Sequence, residues 1–80
     1  MGMDNSLKKS LVEYITGRRG ELTLEGPPLT LALVYETAQA SRALYVALEK
    51  GNIELISSAL TKKKEAVQRW EKTTGSAWGL

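Results

Sequence analysis

Tyr35, Glu36, Gln39 and Arg42 fall on neighbouring turns of one helical stretch, and Tyr45 and Glu49 extend the row. Side chains at this spacing meet as i,i+3 and i,i+4 pairs, so the row reads first as a solvated face and only second as a polar recognition stripe. Catalysis has little else to use. The chain contains no Cys and no His, which leaves acid–base work to carboxylates, Lys or Tyr held in a pocket. Small helical hairpins seldom enclose such pockets, and no catalytic residue is assigned. The same two absences remove disulfides and the common zinc ligand sets, and no carboxylate pair has the spacing of a dedicated metal loop. Neither a metal nor an organic cofactor is expected.

Basic groups occur as Lys8-Lys9, Arg18-Arg19 and Lys62-Lys63-Lys64, with Arg69 and Lys72 beyond. Consecutive helical positions point about 100° apart, so the lysine run spreads around its helix. It reads as a solvated surface ahead of a phosphate-contacting face, which would need its cations aligned. Arg18 and Arg19 in "GRRG" differ, because two guanidiniums on a loop tip could reach a phosphate or an acidic partner. Nucleic-acid binding through Arg18, Arg19, Lys62, Lys63 and Lys64 is therefore the second functional reading. A formal charge of +2 sets up no strong field of one sign. No Gly-rich phosphate loop or helix-turn-helix spacing appears.

The first reading is a non-catalytic protein-binding module of adaptor, chaperone or inhibitor type acting as a small homo-oligomer, and the two tryptophans carry it. Trp70 lies at a seam position of the last helical segment and reads as core ahead of site, while Trp78 with Leu80 makes the end of the sequence too apolar for a free tail. An aromatic anchor with a basic rim suits an acidic, hydrophobic helix or tail. Trp70, Trp78, Leu80, Arg69 and Lys72 are thus the expected partner-binding residues. In the competing reading, Trp78 simply closes the core.

These residues need elements to hold them. Eighty residues, 42% hydrophobic and 25% charged, describe one small folded domain, and a chain this short buries only about 60% of its unfolded surface. Asn5 or Ser6 can cap a helix over 6–16 with Leu7, Leu11 and Ile15 at i+4 spacing. In "GRRGELTLEGPP", Leu22 and Leu24 alternate with polar residues as in a strand over 21–25. That strand needs a partner, either Val12 to Thr16 in a β-hairpin or its own copy in a second chain. Gly26-Pro27-Pro28 breaks the chain, and a helix over 29–50 follows with Thr30 as its cap. Gly51 and Asn52 suit a helix stop and a helix start, which predicts an antiparallel hairpin with a third helix over 53–73. Residues 74–80 should pack back. Lys63 occupies an apolar position of the third helix, where its stem can be covered while the ammonium snorkels out, and Glu65 to Arg69 should pair along that helix.

The second helix carries Val34, Ala38, Ser41, Tyr45 and Leu48 on one face at 3.5-residue spacing, more apolar surface than one neighbouring helix covers. A mainly α fold completed by homodimerisation follows. Leu22, Leu24, Val34, Ala38, Ser41 and Tyr45 are the expected self-association residues. "MGMDNSLKKS" has no apolar leader-like stretch, and no apolar run approaches the ~20 residues of a membrane helix, so a cytoplasmic protein without membrane contact is expected.

The stretch "ALEKGNIELISSALTKKKEAVQRW", Ala47 to Trp70, is similar to the turn of flagellar-export chaperones of the small helical-hairpin type. There a helix, a short Gly-Asn or Gly-Asp break and a Leu/Lys-rich second helix recur. The likeness covers about a third of the chain, and it implies a protein-binding role.

Overall fold

A computed structural model describes residues 5–80 as three helices: α1 (Asn5–Ile15), α2 (Pro28–Lys50) and α3 (Ile53–Thr74). α2 packs against both of the others, and α1 rests on α2 alone. The core gathers where α1, the base of the α2–α3 hairpin and the last residues of the chain converge. It contains Leu11, Ile15, Leu22, Leu33, Val34, Ala38, Trp70 and Trp78.

α1 forms on its i+4 stripe, with Leu11 and Ile15 buried and Leu7 packed at the core margin. Asn5 and Ser6 lie inside this helix, so neither caps it, and any capping residue lies outside the described residues. The helix ends where Thr16 turns its hydroxyl back onto the Val12 carbonyl at 2.8 Å and Gly17 takes φ +82°, a conformation costly for any residue with a Cβ.

The expected strand over 21–25 is absent, and no strand occurs among the described residues. The β-hairpin alternative fails as well, since Val12 to Ile15 belong to α1. A ladder needs a second backbone at hydrogen-bonding distance, whereas here Leu22 drops its side chain into the core and the Leu24 N–H donates to the Tyr35 hydroxyl at 3.3 Å. The alternation of Leu22 and Leu24 is therefore that of an irregular strap pinned to α2.

α2 begins one residue earlier than its spacing predicts. Pro27 is the N-cap residue at ψ 136° and Pro28 opens the helix, because a proline at the first helical position lacks only an N–H that would be orphaned there anyway. Thr30 therefore lies within the helix and is not its cap. At the far end, Gly51 adopts φ 67° and donates its N–H to Ala47 and Leu48, while Asn52 Oδ1 accepts from Leu55 N–H at 3.1 Å. Two residues thus close one helix and open the next. The cross-helix partners Glu36 with Arg69 and Thr37 with Ala66 run in opposite order along the chain, so α2 and α3 are antiparallel. Gly75 ends α3 at φ 70°.

Candidate functional site

Of the residues expected to bind a partner, the two tryptophans are in the core. Trp70 and Trp78 retain 4% and 2% of their exposure, and their rings meet edge to face with centroids 5.5 Å apart, a favourable arrangement of aromatic quadrupoles. The Trp78 indole N–H donates to Ser41 Oγ at 3.1 Å, and that hydroxyl donates to the Thr37 carbonyl at 2.8 Å. Leu80 packs at the core margin, and its carbonyl accepts from Lys63 Nζ at 2.9 Å. Lys63 is therefore half-buried as its position requires, but its ammonium fastens the tail. Lys72 is exposed, and Arg69 pairs across the hairpin with Glu36 rather than along α3 with Glu65. This end of the molecule offers no aromatic anchor at its surface.

Most residues expected at a twofold interface are also used within the chain. Val34, Ala38 and Ser41 are buried, Ala38 completely, beneath α1 and the tail; Leu22 is buried and Leu24 half-covered. Of these six, Tyr45 alone is exposed. The reason is one of length. At 1.5 Å per residue, α1 covers about 16 Å while α2 runs about 34 Å, so the first half of the α2 stripe acquires a cover and the second half does not.

That second half is the candidate site. Around the Gly51-Asn52 turn, Val46, Leu48, Ile53, Leu55 and Leu60 stand 38%, 57%, 81%, 48% and 55% exposed. Single exposed leucines are ordinary, but several on one arm of a small protein make that arm the candidate for an interaction surface. Between the helices lies an open cleft of about 430 Å³, with Val46, Ala47, Leu55 and Ala59 as its apolar part and Gln39, Arg42, Lys50, Ser58 and Lys62 as its polar part. Tyr14, at the end of α1, closes one side and carries the Arg42 guanidinium over its ring at 4.9 Å, a cation–π contact. Arg42 thus leaves the solvated row, and the rest of that row divides: Tyr35 packs at the core, Glu36 pairs with Arg69, and Gln39 lines the cleft.

The basic groups do not assemble into one strip. Arg18 shares a shallow depression with Lys8 and Lys9 beside α1, and Arg19 stands 3.8 Å from Glu13. Lys62 borders the α2–α3 cleft, Lys63 holds the tail, and Lys64 is exposed. Among the described residues no group of three or more His, Cys, Asp or Glu could hold a metal ion, and no helix is long and apolar enough to cross a membrane.

No protein-family model matches the chain, and neither the curated proteins nor the solved structures compared with it contain a significant match. The geometry of the chain itself therefore carries the functional reading.

Proposed function

We propose that this chain is a non-catalytic protein-binding module, of adaptor, chaperone or inhibitor type, whose working surface is the turn half of the α2–α3 hairpin. One observation carries the reading. The base of the hairpin has a closed aromatic core, whereas the turn half displays Leu48, Ile53, Leu55 and Leu60 to solvent, Leu55 at the edge of the α2–α3 cleft. A chain of this size gains little by leaving so much apolar surface wet. Binding sites, by contrast, need desolvatable apolar residues with a polar rim.

The test is a pull-down from the native host with the tagged full chain, nuclease-treated and untreated, alongside the triple variant Leu48→Gln, Leu55→Gln and Leu60→Gln. Glutamine matches leucine in helix propensity, so the variant keeps the fold. A protein that co-purifies with the parent, survives nuclease and is lost with the triple variant supports the module. Nucleic acid recovered through Arg18, Arg19 and Lys62 to Lys64, with affinity collapsing as salt rises, would replace this reading by the alternative one.

A further inference from the structure

Resting on that docking surface, we propose that the cleft between α2 and α3 receives an acidic amphipathic helix of another protein. Charge is the first argument. Arg42, Lys50 and Lys62 line the cleft and no carboxylate does. None of the three has an ion pair among the described residues, whereas Arg69 has Glu36 and Arg19 has Glu13. Carboxylates enter only beyond the cleft: Glu54 and Glu65 border a depression on α3 that Lys62 also edges, and Glu36 and Glu65 line the next stretch of the α2–α3 groove, where Glu36 is paired with Arg69. A rim of unpaired cations around an apolar floor attracts and orients an anionic partner. Arg42, fixed over Tyr14, presents a preorganised fork suited to a carboxylate.

Shape is the second argument. The α2 wall of the cleft runs from Gln39 to Lys50, about 16 Å at the helical rise, or three turns. A channel of that length between two helices takes a third helix through apolar anchors at i, i+3, i+4 and i+7, and the flanking carboxylates of such a helix meet the rim. A second copy of this chain fits less well. A twofold axis through the cleft would set Arg42, Lys50 and Lys62 of one copy against the same cations of the other.

The experiment is selection from a displayed library of peptides on a fixed helical scaffold, randomised at anchor and flanking positions and panned against the full chain. The expected winners carry apolar residues at helical spacing and a net negative charge. A synthesised winner should then bind at least about tenfold more weakly to Lys50→Glu or Lys62→Glu than to the parent, with Lys72→Glu unchanged. Neutral or basic winners, no enrichment, or indifference to Lys50 and Lys62 would overturn the proposal. So would light scattering showing a dimer that dissociates as the peptide binds, which would assign the cleft to a second copy, or tight binding to anionic vesicles without any peptide selected. If selection fails while the host pull-down still depends on Leu48, Leu55 and Leu60, the docking surface stands and the acidic helix falls. If both fail, the docking surface falls with it.

Discussion

The indole N–H of Trp78 donates to Ser41 Oγ at 3.1 Å, joining the last residues of the chain to the middle of α2. Both groups are almost completely buried, so the contact seals the core and leaves nothing for a partner at that position. Trp78→Ala should lower the unfolding free energy by about 3–5 kcal/mol, the range for removing a buried aromatic side chain. Ser41→Ala should cost about 1–3 kcal/mol by stranding the indole donor. Urea denaturation measures both. A Trp78→Ala variant as stable as the parent would show that the tail does not belong to the core.

The lysine run divides by role, which a stability measurement can resolve. Lys63 reaches the Leu80 carbonyl at 2.9 Å, while Lys62 and Lys64 are exposed. Lys63→Met keeps the stem and removes the donor, and should cost about 1 kcal/mol. The same change at Lys62 or Lys64 should stay within about 0.5 kcal/mol of the parent. Equal effects at all three positions would contradict the latch.

Much of the helical frame was legible because its signals are local. Caps, breakers and stripes place the helices over 6–16, 29–50 and 53–73, against 5–15, 28–50 and 53–74 observed. The strand was not legible. Alternation of Leu22 and Leu24 reports only that alternate side chains point the same way, and a strap lying on a helix satisfies that as well as a ladder does. The burial of Trp78 was not legible for a related reason: exposed tryptophans make good anchors, but a tryptophan in a domain this small is also the largest piece of core available. One available signal pointed to the turn half. An 11-residue α1 cannot cover a 23-residue α2, and the stripe continues past its reach through Tyr45 and Leu48.

Gly51 and Asn52 set the angle at which the bare half of the hairpin is presented. Gly51→Ala forces a Cβ into φ 67° and should cost about 1–2 kcal/mol, and Asn52→Ala removes the Leu55 cap for about 1 kcal/mol. Thermal unfolding gives the values, at roughly 4–8 °C per kcal/mol for a domain of this size. Loss of all cooperative unfolding from either change would mean that the turn half is part of the folding core.

Stability and binding should separate at the exposed leucines. Each of Leu48→Gln, Leu55→Gln and Leu60→Gln should shift the unfolding free energy by no more than about 0.5 kcal/mol, as expected of exposed positions. Where an anchor is replaced, partner affinity should fall by about 2 kcal/mol. Large stability losses at these positions would show that the surface is structurally occupied.

The central claim, that the turn half of the hairpin and not the tryptophan end meets a partner, is tested most directly by site-specific photocrosslinking in the native host. A benzophenone amino acid is placed at Leu60 in one variant and at Lys72 in another, both exposed positions on α3. The account predicts a discrete, nuclease-resistant protein adduct from Leu60 and none from Lys72. An adduct from Lys72 with none from Leu60 would contradict it.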